Sequence, residues 1–181
     1  MVFSRVPTEC NMVIDGEKVK NVKETVYLGV KLCEDGEMEV EVERRIGMTV
    51  QAVGAMKKVY ESREVSREAK VTVYEAVVIP TLTYGCETWV LKEKEKSRLQ
   101  ATEMRVLRKI TGVSRLDHIR NETVRERLGL EPVLKKVERR RECWKEKAES
   151  RKGSVVEKVL KGEGVRKRPR GRPRKRWTDP F

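Results

Sequence analysis

One histidine, two Phe, three Trp, four Tyr and four scattered cysteines leave this sequence short of the groups from which active sites are usually assembled. Cys10, Cys33, Cys86 and Cys143 show no CxxC or zinc-knuckle spacing, and His118 has no metal-ligand partner near it in sequence. A zinc module is therefore excluded at the level of spacing, and reduced, partly buried thiols of an intracellular protein are expected. Long apolar runs are missing too. No uncharged stretch exceeds 11 residues, the length of Ala76 to Cys86, where a membrane-spanning helix needs about 18. The opening Met1 to Pro7 lacks the apolar run of a secretory leader. No nucleophile–base arrangement is legible, which argues against a hydrolase and against a small-molecule substrate. The expected setting is nuclear or cytoplasmic, away from membranes.

Charge is what the sequence has in excess. Charged residues make up 39% and apolar residues 38%, so any core is expected to be thin and largely helical. Lys and Arg number 42 against 29 Asp and Glu, a net charge of +13. Such an excess bears on partners and not on fold, and it points first to polyanions. The excess is concentrated. From Arg166 to Arg176 eight residues are Lys or Arg and none is acidic, which supplies +8 of the +13. A segment of this kind buries nothing and is expected to be disordered.

The hydrophobic period divides the remainder. Met12-Val13-Ile14, Asp15-Gly16 and Glu17-Lys18-Val19 read as a hairpin with a two-residue turn. Val26 to Leu32 reads as a strand with Tyr27, Gly29 and Lys31 on one face, stopped by Asp35-Gly36. From Glu37 the period becomes helical. Val42, Ile46, Thr49, Val53, Met56 and Tyr60 form a heptad-like seam along one helix of about six turns. Ser66 is placed to cap a second helix carrying Val71, Tyr74 and Val78, and Pro80 is expected to kink or break it. A third helix is predicted from Glu93 to Thr111, stopped by Gly112. Asn121 is placed to cap a short helix ended by Gly129, and Pro132 opens a helix with Val133, Val137, Trp144 and Ala148 on one face. Ser154 to Glu157 matches a capping box for a last short helix closed by Gly162.

Two motif sets bear on function. Arg170-Gly171-Arg172-Pro173-Arg174-Lys175 resembles an AT-hook. Its arginines suit the narrow, strongly negative minor groove of A·T-rich DNA, and its glycine permits close approach. The alternative is a basic tail for any polyanion, or a nuclear import signal. The second set is Tyr27-Leu28-Gly29, Arg44-Arg45-Ile46, Tyr84-Gly85-Cys86-Glu87-Thr88-Trp89 and Gly171 to Trp177. In this order they resemble the C-terminal part of non-LTR (LINE-like) retrotransposon reverse transcriptases. The resemblance implies an RNA-directed DNA polymerase as parent, with residues 1–36 an end-of-palm, primer-grip-like β-hairpin. It implies thumb-like helices over 37–115, a C-terminal helical region over 116–164 and the AT-hook-like tail over 165–181.

The fold class expected is mainly α: short N-terminal strands, a helical thumb-like bundle and a disordered basic tail. Nucleic-acid contact is expected from Tyr27 and Gly29 on the strand, and from Arg44, Arg45, Lys57 and Lys58 on the first helix. In the tail it is expected from Arg168, Arg170, Gly171, Arg172, Pro173, Arg174, Lys175 and Arg176. Trp89, Trp144 and Cys86 are assigned to packing. The sequence contains no Asp–Asp pair, whereas two-metal phosphoryl transfer needs such carboxylates. The chain is thus expected to start after the catalytic carboxylates of the parent polymerase. It is expected to bind no Mg²⁺ through them and to have no polymerase activity alone. The partners expected are DNA or RNA. Other readings are an AT-hook-type DNA-binding protein acting through its tail, and a helical interaction module pairing through the heptad seam.

Overall fold

The computed structural model describes residues 1, 10–151, 153, 155–160, 175–177, 179 and 181. Two small antiparallel strand pairs open the chain. β1 (Val13–Ile14) pairs with β2 (Glu17–Lys18) across Asp15 and Gly16. Both turn residues have positive φ, 51° and 83°, as the tight hairpin expected at this position requires. β3 (Glu24–Tyr27) pairs with β4 (Val30–Cys33), with Tyr27 opposite Val30.

This second hairpin corrects the single strand expected over Val26 to Leu32. Leu28 and Gly29 both sit at positive φ, 47° and 77°, and reverse the chain there. Leu28 gives no hint of this, because a non-glycine residue rarely adopts that region. Tyr27 and Gly29 accordingly do not share a strand face.

The helices follow. α1 (Glu39–Ala55) ends at Met56, whose backbone leaves helical geometry, and α2 (Lys57–Glu61) restarts beyond it. The single long helix expected here is therefore two. The break falls just after Gly54, a residue that weakens a helix interior by about 0.5–1 kcal/mol relative to Ala. The seam itself holds: Val42, Thr49, Val53 and Tyr60 are buried, and Ile46 and Met56 pack against the core. That seam is covered by this chain's own helices, since α1 packs on α4 (Ile79–Leu82) and α5 (Glu93–Thr111).

α3 (Arg67–Val73) starts at Ser66, whose hydroxyl accepts a hydrogen bond from the Ala69 amide at 3.1 Å. It runs into a π-helical turn, Tyr74–Val78, and on into α4. The Ile79 amide reaches back five residues to the Tyr74 carbonyl. The widened turn makes room for the Pro80 ring, which would otherwise press on the Ala76 carbonyl. A 3₁₀ turn, Cys86–Thr88, leads to Trp89.

α5 matches its expected bounds and is capped by Gly112 at φ 68°. It buries Leu99, Val106 and Leu107, each contributing about 1.5–3 kcal/mol, more than helix propensity supplies over the same turns. α6 (Asn121–Glu126) starts after Arg120, so Asn121 is its first residue and not its cap. α7 (Val133–Glu149) and α8 (Val155–Leu160) complete the described elements. Ser154 and Gly162, assigned to the ends of the last helix, lie outside the described residues. The Glu157 carboxylate accepts from the Gly153 amide at 2.6 Å.

The protein is mostly helical, with its strands at the N-terminus. One core cluster holds Val42 and Tyr60 together with Trp89, Leu99, Leu107, Val124, Val133 and Val137. Trp89 and Cys86 are fully buried, while Trp144 is 37% exposed. Burial pushes the Cys86 thiol up to about 11. All four cysteines are free thiols. Among the described residues no helix is long and apolar enough to cross a membrane.

Candidate nucleic-acid interface

Three of the four motif segments, far apart in sequence, meet at one joint, and Trp177 of the fourth adjoins it. Its centre is the Leu28–Gly29 turn. The Tyr84 hydroxyl donates to the Leu28 carbonyl at 2.9 Å, and its ring faces the side of Gly29 on which a β-carbon would sit. Arg44 Nη1 donates to the Gly29 carbonyl at 3.0 Å, and Arg45 Nη2 donates to the same oxygen. The Arg45 guanidinium also stacks on the Tyr84 ring, 4.4 Å from its centroid. Glu41, fully buried, binds this cluster together. Its Oε1 accepts from Arg45 Nε at 2.5 Å and its Oε2 from the Lys31 amide at 2.8 Å.

The joint continues to the other end of the chain. The Trp177 indole N–H donates to the Glu87 carbonyl at 2.7 Å, within the 3₁₀ turn that follows Gly85. Arg141 Nη2 donates to the Trp177 carbonyl at 2.7 Å, and Trp144 meets the Trp177 ring edge-on at 5.2 Å. Phe181 lies over Arg141 at 5.1 Å. Trp177 is thus seated on α7 and the 3₁₀ turn.

This geometry sorts the expected contact residues. Arg45 is 5% exposed and committed to Glu41, Gly29 and Tyr84. It cannot present a phosphate contact, and its assignment as one is corrected: it lies off the apolar seam, but its charge is consumed by a buried carboxylate. Arg44 is half-buried and holds the turn. Tyr27 is 65% exposed at the corner of the hairpin, and Gly29 is inside the turn, where an added β-carbon would touch the Tyr84 ring at 3.6 Å. Lys57 and Lys58 are exposed on α2, Lys57 at 3.9 Å from Glu61. Arg168, Arg170, Gly171, Arg172, Pro173 and Arg174 lie outside the described residues. Lys175 is half-buried, with burial and the neighbouring Lys96 holding its ammonium below the ordinary value. The Arg176 amide donates to Asp179 at 2.8 Å.

The fold creates a second cationic feature that sequence pattern does not single out. Along α5 the charges divide. At its N-terminal end Lys92, Lys94 and Arg98 pair with Glu37, Glu39 and Glu43, the first two at 2.5 Å. At its C-terminal end Arg105, Arg108 and Lys109 have no acidic partner among the described residues, and neither does Arg115 in the following loop. These four line a groove of about 780 Å³ between α5, the 112–115 turn and the start of α6. No carboxylate lines it. A signal is present in sequence, since no acid occurs between Glu103 and Asp117. It is easily missed, because alternating basic and apolar residues look like any amphipathic helix.

Arg108 is fixed in place there. Its Nη2 donates to the Ile119 carbonyl at 2.9 Å and to Asn121 Oδ1 at 3.1 Å. Its Nη1 is buried without a hydrogen-bond partner among the described residues. Among the described residues there is no group of three or more His, Cys, Asp or Glu placed to hold a metal ion.

The chain is similar to an uncharacterized transposon-derived protein of Caenorhabditis elegans, with 25% identity over 131 residues. The match covers 70% of this chain and 47% of that protein, so the chain spans about half the length of its relative. No protein-family model matches. No solved structure matches.

Proposed function

We propose that this chain is a nucleic-acid-binding, C-terminal portion of a non-LTR retrotransposon reverse transcriptase, which holds RNA or DNA without copying it. The likeness to a transposon-derived protein supports the origin, and the meeting of three separated motifs at one joint, with Trp177 beside it, supports the family. The observation that carries the binding is concentrated positive charge, in the basic run of the tail and in the unopposed set Arg105, Arg108, Lys109 and Arg115 around a groove without carboxylates. A helix C-terminus contributes roughly half a negative charge, and four cations outweigh it. Lys58 and the basic run from Arg166 to Arg176 extend the attraction. Arg44 and Arg45 take a positioning role, locking the hairpin to α1.

In this reading the chain has no Asp–Asp pair to hold two metal ions, so its work is electrostatic grip and not phosphoryl transfer. The test is fluorescence anisotropy with labelled DNA duplex and RNA–DNA hybrid, from about 50 to 200 mM salt. Affinity is expected to fall steeply, with a log–log slope near −0.9 for each phosphate neutralised. Replacing Arg166, Lys167, Arg168, Arg170, Arg172 and Arg174 by serine removes charge while keeping Trp177 in its seat, which a deletion of the tail would not. That variant is expected to flatten the slope by roughly 5 if all six reach phosphates. Preference for A·T over G·C duplex, lost in the same variant, would mark minor-groove reading by the tail. A chain that ignores oligonucleotides at the lowest salt, or that extends a primer unaided, overturns the proposal.

A further inference from the structure

We infer that the groove at the C-terminal end of α5 takes an unpaired strand of RNA or DNA in preference to a duplex; this rests on the nucleic-acid-binding reading above. Three observations carry it. The first is charge: Arg105, Arg108, Lys109 and Arg115 converge on the groove and none has an acidic partner among the described residues, although the other end of the same helix has its cations paired across to α1. The second is lining: Met104, Val113 and Ala101 contribute apolar surface between the cations. Duplex grip needs only phosphate contacts, whereas an apolar floor among guanidinium planes suits the exposed face of an unstacked base. The third is size. About 780 Å³ falls in the range of pockets that enclose small ligands. A nucleotide turned inward fits that scale, while a duplex could touch only the rim.

Arg108 supplies the fixed point. Ile119 and Asn121 hold its Nη2 edge, and Nη1 is left buried without a partner. An unmatched buried donor of this kind carries a desolvation penalty that an incoming acceptor would relieve. A phosphate or base oxygen entering the groove, with a small shift of the side chain, would give it an acceptor. No aromatic ring lines the groove, so sequence preference is expected to be weak, set by charge and shape.

The experiment compares a labelled 12-nucleotide single strand with the corresponding 12-base-pair duplex, using the full chain. The variant is the triple Arg105→Gln, Lys109→Gln, Arg115→Gln, at three exposed positions whose change leaves the core intact. Its thermal melt is run alongside, together with a charge-keeping control, Arg105→Lys with Arg115→Lys. Single-strand affinity is expected to drop at least tenfold in the Gln triple. The salt slope for the single strand is expected to become shallower by roughly 2, at about 0.7 for each phosphate no longer neutralised. Duplex affinity, held by the basic run, changes less than threefold, and the Lys control stays close to the unmodified chain. Unchanged single-strand binding in the Gln triple overturns the groove assignment while leaving the nucleic-acid function standing. Equal losses for single strand and duplex overturn the preference. Absence of any binding by the unmodified chain overturns both readings at once.

Discussion

Glu103 shows how much of the bundle hangs on single side chains. It is fully buried on α5 and reaches two other helices. Its Oε2 accepts from Arg125 at 2.7 and 3.2 Å on α6, and its Oε1 from the Val133 amide that opens α7 at 2.7 Å. Burial pushes its carboxyl above the usual range, against the pull of Arg125. Removing it would leave Arg125, 7% exposed, as an uncompensated buried charge. Glu103→Ala is therefore expected to lose about 3–5 kcal/mol in urea unfolding. The double change Glu103→Leu with Arg125→Leu is expected to lose less, because it removes both charges together. A single variant within about 1 kcal/mol of the unmodified protein would disprove this account of the joint. None of it is legible in the sequence: Glu103 reads as one acid among many until the fold brings Arg125 and Val133 to it.

At the scale of elements, legibility follows locality. α5 can be bounded from sequence because its apolar period, its first-turn acids and Gly112 all act within a few residues. The Asp15–Gly16 hairpin is equally local. The β3–β4 turn is not, because Leu28 takes a left-handed backbone that its own chemistry disfavours and that Tyr84 and Arg45 hold from more than a dozen positions away. The groove escapes sequence reading for a related reason. Its cations are visible in sequence, but their lack of partners depends on where α1 places its acids. Gly85 ties these elements together. It sits at φ 71°, and a β-carbon there would lie 2.9 Å from Val30 Cγ2 on β4. Gly85→Ala is expected to cost at least 1–2 kcal/mol from the left-handed backbone alone. That corresponds to roughly 2–8 °C in melting temperature for a chain of this size. A melt within about 1 °C of the parent would refute the close fit of hairpin and 3₁₀ turn.

For the whole molecule, electrostatics sets both binding and the conditions under which the fold holds. Glu39 is drawn below its ordinary value of 4.5 by the hydrogen bond and charge of Lys94, and Glu93 likewise by Lys96. With folded values depressed, the stability these pairs contribute is present above about pH 4.5 and is lost as the pH falls through the lower folded values. Glu103, with its value raised, acts with the opposite sign. The urea midpoint is therefore expected to fall below about pH 4.5. The acid limb should be shallower in Glu39→Gln, and shallower in high salt, since these groups are exposed and screened. An acid limb identical in that variant would remove the cross-helix pairs from the explanation. The buried Glu41 has one more effect, on how molecules meet each other. Val26 and Lys31 face one another as a non-hydrogen-bonded pair, so the Lys31 amide points off the outer edge of β4. Glu41 already occupies that amide. A foreign strand seeking a template finds that side stoppered, and fibril-like stacking of this hairpin can begin only alongside β3.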